Sequence, residues 1–184
     1  EKTRHQDSMT TSLKNKDQRV AVFIDVQNMY HSAKNLYQSR VNFGEILKTA
    51  VAGRKLIRAF AYVVRTKTGE EKPFFDALTN LGIETRVKDL QEYYGGLKKA
   101  DWDVGIAVDA IKTSDSVDAI VIVSGDGDFA PLIEYLQNHG KRVEAMAFGK
   151  STSSKIREVA DEFIDLEAPV DKYLLKQKRK WPVP

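Results

Sequence analysis

Two short stretches of the chain are apolar at every position, and they constrain the fold more than any other feature. Residues 20–24 read Val-Ala-Val-Phe-Ile, and residues 119–123 read Ala-Ile-Val-Ile-Val. A strand with one face in water alternates apolar and polar residues, whereas a strand that is covered on both faces is a continuous apolar run. Both stretches therefore predict buried strands of a parallel sheet with helices on each side.

The rest of the sequence alternates between strand and helix patterns. Further strands are predicted at residues 55–64, 83–87, 142–147 and 163–166. Capping residues and glycine stops predict helices at residues 29–37, 42–51, 70–81, 101–112, 129–138 and 151–160. Strands that alternate with helices join one parallel sheet through right-handed crossovers. We therefore expect a three-layer α/β/α fold with a central, mostly parallel sheet of five or six strands.

Length and composition limit the class of protein. The chain has 184 residues, of which 42% are hydrophobic and 30% are charged, as in a single globular domain. It contains no cysteine, which excludes disulfides, thiolate zinc sites and cysteine nucleophiles. This composition fits a cytoplasmic protein. No apolar run approaches the ~20 residues that are needed to cross a bilayer, so we expect no membrane partner.

The two ends of the chain differ in composition from the domain expected over residues 19–168. Residues 1–18 are polar, which predicts a flexible leader. Residues 169–184 form a basic tail, in which five bases and no acid occur from residue 172 onward. Such a tail can hold a polyanion through phosphate contacts, or it can be a solvated terminus.

Acidic residues follow the two buried strands and open one helix. Asp25 comes directly after residues 20–24, and Asp126 and Asp128 come just after residues 119–123. Asp103 lies in the first turn of its helix, and Asn28 lies in the first turn after Asp25. The carboxyl ends of parallel strands meet at one edge of a sheet, and sites form there at a topological switch point. We therefore expect these five side chains to converge.

Carboxylates that are gathered at one point repel one another unless a proton or a cation relieves the repulsion. Two unit charges about 4 Å apart repel by roughly 4 kcal/mol at an effective dielectric of 20. Binding of Mg²⁺ or Mn²⁺ is the simplest way to offset this repulsion, since both ions prefer oxygen ligands. The sequence thus predicts a magnesium or manganese site. Each acid, taken singly, is also explained as a helix cap. Gly125 and Gly127 are also explained as residues of a tight turn, because glycine permits a positive φ.

Other site motifs fit less well. Asp126-Gly127-Asp128 resembles the start of a calcium loop, but Ala130 and Gln137 stand where that loop needs an oxygen ligand and a Glu. No Gly-x-Gly-x-x-Gly follows the first strand, which disfavours dinucleotide binding. A phosphoacceptor receiver domain also has an acidic pocket in a doubly wound fold. Its acceptor Asp should end a middle strand, whereas here that strand is followed by Ser124-Gly125-Asp126.

Three motifs, taken in order, resemble the NYN domain family and most closely its bacterial LabA-like group. Residues 22–28, Val-Phe-Ile-Asp-Val-Gln-Asn, resemble its strand followed by Asp-x-x-Asn. Residues 99–104, Lys-Ala-Asp-Trp-Asp-Val, resemble its middle motif. Residues 121–129 end in Ser-Gly-Asp-Gly-Asp-Phe and match its Ser-Gly-Asp-x-Asp-Phe motif. The resemblance covers about residues 19–166.

The resemblance implies a PIN-like fold and a metal-dependent ribonuclease. By matched position, the metal-binding and catalytic acids would be Asp25, Asp103, Asp126 and Asp128. Asn28 would be the accompanying polar group in catalysis. At Asp103 this chain departs from many PIN proteins, which have the longer Glu there. We further expect Ser124 to hydrogen-bond a carboxylate or a water, and Asp109 to play a supporting, structural role.

An acidic pocket repels RNA, so cations must surround it. The candidate RNA-binding cations are Arg65, Lys98, Lys99, Lys150, Lys155 and Arg157. The expected partner is single-stranded RNA, and an exposed edge strand could also pair with a second copy to form a homodimer. Two other functions remain open at this point. One is a non-catalytic regulatory module that binds nucleic acid or protein, and the other is an enzyme that acts on DNA or small phosphoesters.

Overall fold

The computed structural model describes residues 14–92 and 98–175, with the side chains of residues 92, 98 and 99 outside the description. The strands are β1 (Arg19–Asp25), β2 (Lys55–Arg65), β3 (Glu84–Asp89), β4 (Gln91–Glu92), β5 (Lys98–Lys99), β6 (Ala119–Val123), β7 (Arg142–Ala147) and β8 (Glu162–Asp165). Six of them form one parallel sheet in the order β3-β2-β1-β6-β7-β8. The two short strands β4 and β5 pair with each other in antiparallel fashion.

The helices cover both faces of this sheet. They are α1 (Val26–Tyr37), α2 (Phe43–Val51), α3 (Lys72–Asn80), α4 (Asp103–Ser114), α5 (Ala130–Asn138), α6 (Ser154–Val159) and α7 (Val170–Tyr173). Apolar residues of α1, α2 and α3 belong to one core cluster, and those of α4, α5 and α6 to a second. The expected three-layer α/β/α fold is confirmed, with a six-stranded sheet between the layers.

The apolar run at residues 20–24 is buried for the reason predicted from its pattern. Val20, Val22 and Ile24 pack into the first core cluster, and Ala21 and Phe23 pack into the second. Both faces of β1 are therefore covered, and none of these residues is exposed. The run at residues 119–123 behaves in the same way, so β1 and β6 lie side by side in the middle of the sheet.

The order of the strands reverses between β1 and β6. From β1 the sheet grows through β2 and β3 on one side, and from β6 it grows through β7 and β8 on the other. The loops that leave the carboxyl ends of β1 and β6 therefore diverge and leave a crevice between them. Asp25 is the last residue of β1, and the loop after β6 carries Asp126 and Asp128.

Several element boundaries differ from the expectation. Helix α1 begins at Val26 because Asp25 caps it, with its side chain accepting from the backbone N–H of Asn28. No element was predicted between residues 87 and 101, but β4 and β5 lie there. Residues at both expected termini contact the domain. Lys14 lies 2.8 Å from Glu162, and Leu175 donates a backbone hydrogen bond to Arg40.

No helix within the described ranges combines the length and the apolar character that a membrane-crossing segment needs. The basic residues of the tail from residue 176 onward lie outside the described part of the chain.

Candidate metal centre

Asp25 is held by hydrogen bonds from the segments that follow β1 and β6. Its Oδ1 accepts from the backbone N–H of Asn28 at 3.2 Å, and its Oδ2 accepts from Ser124 Oγ at 3.0 Å. The side-chain oxygen of Asn28 in turn accepts from the backbone N–H of Gly125 at 3.0 Å. These bonds join the first turn of α1 to the loop after β6, so Asp25 has a defined orientation.

The loop after β6 is ordered by its own polar groups. Ser124 is fully buried, and its Oγ accepts from the backbone N–H of Asp126 at 3.2 Å while it donates to Asp25. Asp126 Oδ1 accepts from the backbone N–H of Asp128 at 2.9 Å and so caps the 3₁₀ turn Gly127–Phe129. One oxygen of Asp126 is therefore committed to the loop, and the other is available to a ligand.

Gly125 and Gly127 allow a close approach between two loops. A Cβ at Gly125 would lie 2.8 Å from Thr152 Oγ1, and one at Gly127 would lie 2.6 Å from Ser153 Oγ. Neither glycine has the positive φ that a tight-turn explanation requires. Any side chain at these positions would push the acidic loop away from the start of α6. Their role is thus to let the acidic loop pack against residues 152–153.

Trp102 anchors the beginning of α4 against β2. Its Nε1 donates to the backbone oxygen of Val63 at 2.9 Å, and its ring meets Tyr62 edge to face at 5.3 Å. Gly105 makes room for the ring, since a Cβ there would lie 2.5 Å from it. Asp103, the next residue after this anchor, is thereby turned towards the loop after β6.

Three of the expected acids meet in one cluster. Carboxylate oxygens of Asp103, Asp126 and Asp128 lie within 4.8 Å of one another. Asp25 lies beside this cluster, and its oxygens do not belong to the set that lies within 4.8 Å of one another. Hard carboxylate oxygens at such spacing are the donors that Mg²⁺ and Mn²⁺ prefer, so these residues fit a divalent cation of that kind.

The electrostatics of the site favour a cation. Burial and the charges of the neighbouring acids, Asp126 first and then Asp25, raise the pKa of Asp103 to about 6. Burial also raises the pKa of Asp25, although its hydrogen bonds from Asn28 and Ser124 oppose that change. Burial is the largest cause of both shifts, and the neighbouring negative charges add to it. A divalent cation would relieve the repulsion between these charges.

Asp101 is a fifth acid of the pocket that the sequence analysis did not include. Its negative charge contributes to the raised pKa of both Asp25 and Asp103. It is exposed, and its backbone oxygen accepts from Lys88 Nζ at 2.8 Å. The Asp-x-Asp spacing of residues 101 and 103 is the signal that could have identified it.

Asp109 lies outside the acidic cluster. Its Oδ2 accepts from the hydroxyl of the buried Tyr62 at 2.9 Å and lies 3.4 Å from Nε of Arg86. It therefore joins the middle of α4 to β2 and β3 and supports the position of the helix that carries Asp103.

The expected RNA-binding cations have different surroundings. Arg65 pairs with Asp89 at 2.7 Å, Lys150 lies 4.0 Å from Glu167, and Arg157 donates to the backbone oxygen of Gly149 at 3.0 Å. These three are engaged with groups of the protein. The side chains of Lys98 and Lys99 lie outside the described part of the chain.

Lys155 is the expected cation whose stem lies against the acidic loop. A Cβ at Gly127 would lie 3.7 Å from its Cδ, and Gly127 stands between Asp126 and Asp128. The side chain itself is exposed.

Comparison with known proteins agrees with this geometry. The family profile of the NYN domain matches residues 19–167. The chain is 27% identical over 179 residues to the low amplitude and bright protein LabA of Synechococcus elongatus, covering 89% of this chain and 91% of LabA. A crystal structure of a protein of unknown function from Vibrio parahaemolyticus superposes with a TM-score of 0.79 at 31% identity. That superposition covers 88% of this chain and 99% of the Vibrio protein.

Proposed function

Because the chain belongs to the NYN domain family, we propose that it is a ribonuclease that hydrolyses single-stranded RNA with the help of a bound Mg²⁺ or Mn²⁺ ion. The observation that carries the proposal is the cluster of Asp103, Asp126 and Asp128, whose oxygens lie within 4.8 Å of one another at the switch point of the sheet. A structural role alone does not require such crowding, since like charges at this spacing destabilise the folded protein.

The protein's own groups have distinct parts in this proposal. Asp103, Asp126 and Asp128 would hold the cation, and Asp25 would add negative charge beside it and accept a proton from an attacking water. Ser124 and Asn28 position Asp25 and the loop after β6, and they do so through the bonds described above. A bound divalent cation would offset the charge on the scissile phosphate and acidify a nearby water.

The reaction itself is a displacement at phosphorus. Water attacks the phosphorus in line with the bond to the 3′ oxygen, that bond breaks, and its electron pair and a proton leave with the 3′ oxygen. The products carry a 5′-phosphate and a 3′-hydroxyl. No side chain of the protein needs to form a covalent intermediate.

The test uses labelled single-stranded RNA, structured RNA, DNA of the same sequence and a chromogenic phosphate ester. Each is incubated with Mn²⁺, Mg²⁺ or EDTA. We expect cleavage of single-stranded RNA that needs the metal and falls by about 100-fold or more in Asp126→Asn, which can keep the cap of the 3₁₀ turn. Asp115→Asn, at an exposed acid beyond α4, is the matched control.

Each other outcome replaces the proposal with a defined alternative. Cleavage that survives Asp126→Asn indicates a contaminating nuclease. Metal-independent RNA binding without cleavage favours a regulatory module. Faster hydrolysis of DNA or of the phosphate ester than of RNA would assign the site to a different class of phosphoester.

A further inference from the structure

The outer side of α1 carries a groove that the metal centre does not use. It has a volume of about 610 Å³ and is lined by Tyr30, Lys34, Asn35, Gln38, Ser39 and Arg40. None of the lining residues is acidic. The groove therefore has the opposite charge to the carboxylate pocket at the beginning of the same helix.

The groove combines an exposed aromatic ring with cations. Tyr30 is 46% exposed, and Lys34 Nζ lies 5.6 Å from the centre of its ring. Within the described ranges, no carboxylate lies within 4.0 Å of the cationic groups of Lys34 or Arg40. Among the described residues, Lys34 and Arg40 therefore have no acidic partner, whereas Arg65 and Lys150 are paired with acids.

The groove and the metal centre are carried by the same helix, α1. The helix begins at the Asp25 cap, and Asn28 of its first turn contacts the loop after β6. At about 1.5 Å of rise per residue, Tyr30 lies roughly 3 Å and Lys34 roughly 9 Å beyond Asn28 along the axis. At 3.6 residues per turn, Tyr30 and Lys34 also lie roughly 200° and 240° around the axis from Asn28, so a strand with one phosphate at the carboxylates must pass around α1 to reach them.

We propose that the groove binds the RNA strand a few nucleotides away from the scissile bond. One base stacks on Tyr30, and the phosphates of neighbouring nucleotides contact Lys34 and Arg40. Stacking on an aromatic ring and backbone contacts to cations are the interactions by which proteins hold single strands without reading their sequence. This assignment rests on the proposed ribonuclease function and names the surface that would hold its substrate.

The first experiment measures binding in EDTA, where the proposed cleavage is off. Fluorescence anisotropy compares a labelled oligouridine of about 16 nucleotides with wild type, Tyr30→Ala and the double variant Lys34→Ala/Arg40→Ala. We expect Tyr30→Ala to weaken binding by about 5- to 100-fold. The double variant should reduce the slope of log K against log salt by about 1.4, because about 0.7 is lost per phosphate contact on a single strand.

Matched controls come from other helices. Tyr135 of α5 is 43% exposed, close to the value for Tyr30, and Lys48 is an exposed lysine of α2. Tyr135→Ala and Lys48→Ala should bind the oligouridine like wild type. Equal losses in the groove variants and the controls, or no loss in the groove variants, overturns the proposal.

The second experiment separates this proposal from the ribonuclease proposal. With Mn²⁺ present, Tyr30→Ala should lower kcat/KM for the 16-nucleotide RNA and leave it unchanged for a dinucleotide, which is too short to reach the groove. If wild type cleaves neither RNA, the ribonuclease proposal fails while the binding measurement still decides the groove. A third outcome is that a free mononucleotide binds to wild type but not to the groove variants, while the variants bind the oligouridine as tightly as wild type does. The groove would then be a small-ligand site, and the proposal would be overturned.

Discussion

The side-chain oxygen of Asn28 accepts a 3.0 Å hydrogen bond from the backbone N–H of Gly125. This bond crosses the point where the strand order reverses, and it joins α1 to the loop that carries Asp126 and Asp128. The geometry of the acidic cluster therefore depends on a contact between two residues that are far apart in the chain and that are not themselves members of the cluster.

Removal of this contact should weaken metal binding. Asn28→Ala leaves the buried N–H of Gly125 without its acceptor, so the loop is less well held. We expect Mn²⁺ affinity to fall by about 10- to 100-fold, as for other residues that orient metal ligands. Isothermal titration calorimetry measures the change, and Asn80→Ala at the exposed end of α3 is the control. An unchanged affinity in Asn28→Ala would contradict this role.

The close packing of Gly125 against Thr152 should make the position intolerant of a methyl group. In Gly125→Ala the new Cβ would lie 2.8 Å from Thr152 Oγ1 and 3.1 Å from its Cα. We expect a loss of about 1–3 kcal/mol in the free energy of unfolding, because the loops must separate. Gly44→Ala is the control, since its Cβ would meet nothing closer than 3.4 Å. Urea denaturation that gave equal stabilities would refute the packing argument.

The raised pKa of Asp103 predicts how stability and metal binding depend on pH. The folded protein holds this proton up to about pH 6, whereas an unfolded Asp releases it near pH 3.9. Between these values the folded state binds more protons, so the stability of the metal-free protein falls as pH rises from about 4 to about 6. The same proton competes with the cation, so Mn²⁺ affinity falls as pH drops below about 6.

Thermal melts between pH 4 and pH 8, with and without Mn²⁺, measure both effects. Asp103→Asn removes the titrating group, so its metal-free melting temperature should decline less than that of wild type across the same window. Added Mn²⁺ should raise the melting temperature of wild type at pH 7 more than at pH 5. If Mn²⁺ raised the melting temperature of wild type equally at pH 5 and pH 7, the claim that the proton on Asp103 competes with the ion would be contradicted.

A buried ion pair should dominate the polar contribution to stability. Arg54 lies 2.9 Å from Glu144, and both side chains are fully buried. Burial alone raises the pKa of Glu144, but the hydrogen bond and charge of Arg54, aided by Lys14 and Arg142, lower it overall. Glu144→Gln leaves the Arg54 guanidinium buried without its counter-charge, and we expect a loss of about 3–5 kcal/mol.

The exposed pair of Arg58 and Glu84, 2.8 Å apart, is the matched control. Glu84→Gln should cost about 1 kcal/mol or less, because water screens the exposed charges. Since the pKa of Glu144 is lowered in the folded state, its contribution is present above about pH 4.3 and is lost as pH falls below it. Urea denaturation at pH 7 and pH 3.5 should therefore find a smaller difference between wild type and Glu144→Gln at the lower pH.

Much of the fold could be predicted from local patterns. Residues 142–147 were predicted as a strand and form β7. A helix was predicted to begin at residue 42, and Asn42 caps α2 by accepting from the backbone N–H of Glu45. The start of α1 was predicted at residue 29, which is too late, although Asp25 taken singly was also explained as a helix cap; that cap starts the helix at Val26, directly after β1. The pair β4 and β5 was not predicted, because each strand has two residues, too few for a periodic pattern.

The local order of apolar, capping and glycine residues was enough to specify the strands, the helices and the parallel sheet, because these depend on backbone preferences and on burial of continuous apolar runs. It also identified Asp25, Asp103, Asp126 and Asp128 as residues near one edge. The folded arrangement alone decided that three of these acids form the close cluster, that Asp101 adds its charge, and that Asp109 supports α4 instead. Those outcomes depend on side-chain directions and on distances of a few ångströms between remote segments, which no local pattern encodes.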